Sequence, residues 1–141
     1  MPSATLSVWE PRVGLDTQSV VALYDSVGWT AYTRDPEQLI TGLRGSLRVV
    51  LAHADGTLVG LARVIGDGAT ICYLQDVLVH PQARRQGLGR RLVQEAFAPY
   101  TQVRQHVLIT DEQPGQKAFY ESLGFTQLGT ALPGRAFVRF T

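Results

Sequence analysis

The stretch QDVLVHPQARRQGLGRRLVQEAF, residues 75–97, places the tightest limit on the fold. An apolar β-rich run stops at Pro81, a turn holding Arg84, Arg85, Gly87, Gly89, Arg90 and Arg91 follows, and Leu88, Leu92, Val93, Ala96 and Phe97 then recur at helical spacing. A strand that leaves through a helix cannot fold back at once as a hairpin. The next β-rich run, RQHVLIT at 104–110, is therefore reached by a crossover and is expected to lie parallel to the first.

The other elements are read in the same way. ATLSVWEP alternates weakly and stops at Pro11, which suggests a first strand. Val20, Leu23, Tyr24 and Val27 form one helical stripe, with Asp16 or Thr17 as cap and Gly28 as stop. Asp35, Pro36, Leu39, Ile40 and Leu43 predict a second helix. Asp55-Gly56 supplies a tight turn between two β-rich runs, and GDG at 66–68 leads into ATICYLQDVLV, so an antiparallel meander is expected. PGQKAFYESLGF reads as a short helix, and the tail after it offers one or two strands. The order β-α-α-β-β-β-α-β-α-β predicts an α/β (α+β) domain over residues 1–141, with a mixed, mostly antiparallel sheet of six to seven strands and about four helices.

Composition narrows the function. A chain with 45% hydrophobic and 18% charged residues can build a core, and a net charge of +1 gives no support to a nucleic-acid or membrane-surface role. The N-terminal residues show neither a basic region nor an apolar one of the secretory kind, and no run approaches a membrane span. A cytoplasmic protein is expected. Cys72 is the only cysteine, which excludes an internal disulfide and a Cys-x-x-Cys metal site, and it is read as a buried packing residue.

The turn itself has two readings on local composition. Unpaired amides and the dipole of the following helix favour an anion there, Gly87 and Gly89 let backbone approach it, and Arg84, Arg85 and Arg90 can bond phosphate oxygens. Alternatively, the glycines only permit the turn and the arginines are a solvated face. A Walker A loop fails because no Gly-Lys-Ser/Thr follows. A dinucleotide fingerprint departs in two ways: Leu92 stands where a third small residue belongs, and residues 80–86 separate the strand from Gly87.

Taken with its flanks, the turn resembles the acyl-CoA signature of the GNAT superfamily of N-acetyltransferases. Arg84-x-x-Gly87-x-Gly89 matches Arg/Gln-x-x-Gly-x-Gly/Ala, LQDVLVHP resembles the family's fourth strand, and AFYESLGF resembles the helix bearing its Tyr general acid. The resemblance implies acetyl-CoA as cosubstrate, without a metal. The pyrophosphate would be held by amides of Arg85, Gln86, Gly87, Leu88, Gly89 and Arg90, with Arg84 beside them. Pantetheine would run along Val77, Leu78 and Val79, where this strand splays from the next, and Lys117 would reach a phosphate. The segment TDEQPGQ departs from the family, many of whose members have Asn before the Tyr-bearing helix, so Glu112 or Gln113 must substitute or the contact is absent.

The same resemblance implies transfer of an acetyl group to an amine by direct attack, with Tyr120 donating a proton to the CoA thiolate. Relatives often carry an acid or a His where this chain has Tyr73 and Gln75. Three roles stay open at that strand: Asp76 as base, if a bulge re-aims it; Asp76 as a structural acceptor; or water polarised by Gln75 and Tyr73. Trp29, Tyr32 and Tyr73 are read as acceptor-binding residues, with packing against the core as the other reading of Trp29 and Tyr32, large aromatics between the first two helices. The acceptor would be a small-molecule or peptide amine, and the β-rich tail would suit a homodimer. A domain that binds acyl-CoA without turnover is the alternative.

Overall fold

Asp16 and Asp35 each accept a backbone N–H two or three residues on, from Gln18 at 3.1 Å and Gln38 at 3.2 Å, and so start the two helices the sequence predicts. The computed structural model describes residues 3–141. In chain order it forms β1 (Thr5–Val8), α1 (Thr17–Ser26), a one-turn α2 (Thr30–Thr33), α3 (Pro36–Arg44), β2 (Arg48–Ala54), β3 (Thr57–Gly66), β4 (Ile71–Val79), α4 (Leu88–Phe97), β5 (Gln105–Leu108) and α5 (Gln116–Ser122). Asp55 and Gly56 take φ of 51° and 75° at the β2–β3 turn, the angles that a tight hairpin requires.

The sheet has five strands in the order β1-β2-β3-β4-β5, antiparallel up to β4, with β5 parallel to β4. The expected six to seven strands are thus corrected to five. Residues 126–141 contribute only an isolated bridge, Leu128↔Leu132, because Gly129 at φ 86°, Pro133 and Gly134 at φ 145° interrupt any regular extended run. The expected helices are all present, and α2 is one more than the pattern of apolar residues announced.

Both faces of the sheet are covered. On one, α4 lies close above β3: a Cβ on Gly60 would come within 2.9 Å of Leu92 Cδ1 and 3.3 Å of Ala52 Cβ, so glycine is what admits the helix. On the other, Val20, Leu23 and Tyr24 of α1 and Leu39 and Leu43 of α3 join Leu61 and Leu78 in one buried cluster. Two compact units divide the chain after Ile109: the first holds the sheet and α1–α4, the second α5 and the tail. No helix among the described residues is long and apolar enough to cross a membrane.

A β-bulge in β4 decides which side chains reach which face. Arg63 pairs with Asp76 but its neighbour Val64 pairs with Leu74, leaving Gln75 as the extra residue. Because Arg63 and Val64 point to opposite faces, so do their partners Leu74 and Asp76, two positions apart. Unbroken alternation would have put Leu74 and Asp76 on one face; the bulge turns Asp76 toward α1.

Candidate active site

The Arg/Gly turn opens on a short 3-10 turn, Pro81–Ala83, started by His80, whose Nδ1 accepts the Gln82 amide at 3.1 Å. Beyond it Arg85 and Gly87 take φ of 68° and 71°, both left-handed, and Gly87 is the N-cap of α4. No side chain caps this helix, so the first-turn amides of Leu88 and Gly89 have no partner inside it. A Cβ on Gly87 would meet nothing within 4 Å, which leaves the approach to those amides open. The side chains of Arg84 and Arg85 are exposed, with no ion-pair partner among the described residues. Leu88 anchors the turn by burying its side chain, while its amide stays at the helix end.

The strand leading into this turn has a free edge. β5 pairs with β4 only from Ile71↔Gln105 to Leu74↔Leu108, so residues 75–79 have no strand partner on that side. His80 donates its amide to Val59 of β3 at 2.8 Å, and alternation along extended backbone therefore aims the polar groups of Val79 and Val77 at the open edge. Leu78, expected among the cofactor contacts, is placed elsewhere: its backbone faces β3 and its side chain is in the core cluster.

Asp76 is 2% exposed, and both its oxygens are engaged. Oδ2 accepts from Arg63 Nε at 2.5 Å and from the Tyr24 hydroxyl at 2.9 Å, and Oδ1 accepts from the Tyr32 hydroxyl at 3.0 Å. The Tyr32 oxygen in turn accepts from Gln75 Nε2 at 3.1 Å. Burial, followed by the nearby carboxylate, pushes the Tyr24 and Tyr32 hydroxyls up, so both stay protonated as donors. Burial works against the Arg63 cation, but Asp76 outweighs it and the guanidinium is held above its ordinary value. The bulge thus delivers Asp76 to a saturated ion pair, and the structural-acceptor role is the one this geometry favours.

Arg63 and the contribution of Tyr24 escaped the sequence reading, although one arginine inside the apolar run LARVI was a signal that a buried partner awaited it. Trp29, Tyr32 and Tyr24 form an aromatic group, with centroids 5.3 Å apart for Tyr24 and Tyr32 and 6.2 Å for Trp29 and Tyr32. Tyr73 is half-buried between Ile65 and Val107, its hydroxyl pushed up by burial and by Asp76.

In the second unit Tyr120 is buried, with edge contacts to Phe119 at 5.0 Å and Phe125 at 6.1 Å. Burial first, and Asp111 second, raise its hydroxyl above the ordinary phenol value, so it is a proton donor at neutral pH. Lys117 is exposed and pairs with Glu121 at 2.8 Å one turn along α5, and Glu112 and Gln113 are exposed. Among the described residues no cluster of His, Cys, Asp or Glu could hold a metal.

Residues 45–127 match the acetyltransferase (GNAT) domain family. The chain belongs to the GNAT family. Among GNAT relatives it is 30% identical over 137 residues to serotonin N-acetyltransferase 2, chloroplastic, of Oryza sativa subsp. japonica, covering 94% of this chain and 68% of that one. A GNAT-family acetyltransferase structure from Streptococcus pneumoniae TIGR4 superposes with a TM-score of 0.81 at 33% identity, over 97% of this chain and 98% of its own. An aminoglycoside N-acetyltransferase in complex with CoA shares the fold, at a TM-score of 0.69 and 16% identity, over 98% of this chain and 95% of that one. The chain spans between 50% and 68% of the length of the curated relatives it matches. An acyl-CoA suits the residues present in this GNAT chain: an uncapped helix end for pyrophosphate, a glycine with no atom in front of it, and an open strand edge leading there.

Proposed function

We propose that this chain transfers the acetyl group of acetyl-CoA to the primary amine of a small molecule with an apolar or aryl body. The observation that carries the proposal is the junction of two unsatisfied backbone surfaces: the uncapped, positive-φ turn at α4 and the edge of β4 that β5 leaves unpaired. Such a junction suits a ligand with an anionic diphosphate followed by an amide-bearing chain, because each part meets the groups that bind it. Arg84 and Arg85 add charge at the diphosphate, and the Val79 amide and the Val77 carbonyl pair with the pantetheine amides in the manner of an added strand.

Acetyl-CoA supplies an activated acyl carbon and a leaving thiolate. The chain's own residues then supply alignment and protons. The Val77 amide polarises the carbonyl oxygen. The attacking amine must be neutral, and an alkylamine of pKa about 10.4 arrives protonated. Asp76 has no spare oxygen to take that proton, so it leaves to water held by Gln75 and Tyr73. As the nitrogen–carbon bond forms and the carbon–sulfur bond breaks, the now cationic nitrogen releases its second proton to the same water, and Tyr120 gives its proton to the thiolate sulfur and is reprotonated from solvent. Trp29 and Tyr32 offer an aromatic wall, and the rice relative's name, a serotonin N-acetyltransferase, agrees with an arylalkylamine acceptor.

Calorimetric titration with acetyl-CoA, with dephospho-CoA and NADH as comparators, is the first test, followed by CoA-thiol release with tryptamine, an aminoglycoside and a lysine peptide. Micromolar acetyl-CoA binding with saturable release on tryptamine is expected. Binding without release would identify a non-catalytic acyl-CoA module, and tighter NADH binding would refute the assignment of the turn.

A further inference from the structure

A helix of four residues such as α2 cannot hold itself together in water, since its few internal bonds do not offset the cost of nucleation. Its position must come from outside. Two side-chain bonds tie it down: Thr33 Oγ1 donates to Asp25 on the exposed end of α1 at 2.6 Å, and the Tyr32 hydroxyl donates to Asp76 inside the fold at 3.0 Å. The second is the stronger constraint because it is shielded from water and charge-assisted. It is also oriented at both ends, since Gln75 of the bulge donates to the same hydroxyl at 3.1 Å.

The anchor is itself bonded to three other elements. Arg63 pairs with Asp76 and reaches Gly42 O and Ser46 Oγ at the end of α3, each at 3.3 Å, while Tyr24 fixes the carboxylate from α1. We infer that Asp76 is a positioning residue: through the Tyr32 hydroxyl it locks α2, and with it the Trp29–Tyr32 wall, against the β4 bulge, and so sets affinity for the amine. Its carboxylate offers no charge to the acceptor, which is selected by aromatic surface. The effect on the amine rests on the acetyltransferase reading above; the locking of α2 does not.

Tyr32→Phe isolates this link, because it removes one hydroxyl and leaves the Arg63–Asp76 pair and Tyr24 in place. Hydrogen exchange should show amides 30–34 opening several-fold faster in the variant, with β2, β3 and β4 protected as before. KM for tryptamine should rise about three- to tenfold, the range of one net hydrogen bond, with kcat within about twofold and acetyl-CoA affinity unchanged. Asp76→Asn in the Tyr32→Phe background should raise KM no further, because the link is already cut. Unchanged exchange at 30–34 overturns the inference, even if the wild-type protein acetylates no amine. A fall in kcat with a shifted pH profile and unchanged KM also overturns it, since that places Asp76 and Tyr32 on the proton's path. A wild type that is inactive with every amine, yet loosened at 30–34 by the substitution, defeats only the acetyltransferase reading.

Discussion

The Arg/Gly turn before α4 and the Asp76 cluster beneath α2 lie at opposite ends of the same stretch of β4, and they treat polar groups in opposite ways. In the cluster both oxygens of Asp76 are bonded to other parts of the chain, and among the described residues no buried side-chain polar atom lacks a partner. At the turn, two residues at positive φ present the helix-end amides of Leu88 and Gly89 beside the exposed side chains of Arg84 and Arg85, which have no ion-pair partner among the described residues. Saturated polarity holds a structure together, and spare polarity receives a ligand. A carboxylate inside an acetyltransferase fold is therefore no evidence of a base until its partners have been counted.

Substitutions at the two places should accordingly fail in different assays. The largest effect is expected from Arg63→Met, which strands a buried carboxylate and should cost about 3–5 kcal/mol, read from the urea midpoint at constant m-value. A loss under about 1 kcal/mol would mean that the cluster is wetter than its geometry indicates. Next is Tyr120→Phe, which keeps the packing of the ring but removes its hydroxyl. Turnover should fall about a hundredfold or more with acetyl-CoA affinity retained, as steady-state and binding measurements would show. Unchanged turnover with chemistry rate-limiting would remove Tyr120 from the mechanism.

Gly87→Val should weaken acetyl-CoA binding at least about tenfold by calorimetry, because the new side chain enters the one approach to the α4 amides. Its stability penalty should stay near 1–2 kcal/mol, roughly the strain of a left-handed φ. If stability falls as far as in Arg63→Met, the turn is structural and the contrast collapses. The last expectation concerns pH. Burial pushes the Cys72 thiol from 9.0 up to about 11, so the folded state keeps a proton that the unfolded chain releases first. Its stabilising contribution is complete below pH 9 and disappears as pH rises toward 11. Cys72→Ala should flatten that part of the stability curve in thermal melts, while the acid side stays unchanged.

The order of the elements was legible in the sequence because each signal is local. Helical stripes, Asp caps, the Asp55-Gly56 turn and the strand–turn–helix run depend on residues within about one turn of each other. The Arg/Gly turn before α4 was legible for the same reason: a run of consecutive amides at a helix start needs no distant partner. The tail misled, because β-rich composition is not a strand until another strand lies beside it, and Gly129, Pro133 and Gly134 break its regularity. α2 was invisible, being held by Asp76 and Asp25 instead of by its own propensity.

Thus the sequence by itself determined the succession of elements, the parallel crossover into β5 and the family to which the chain belongs. Only the tertiary structure decided which face Asp76 lies on and what it bonds. One unpaired residue at Gln75 changes the face on which every following side chain lies, and that slip is recorded in the pairing with β3, not in β4 alone. The partners that use up the carboxylate come from positions 24, 32 and 63, brought together by packing across the sheet, and no local pattern at position 76 could have named them.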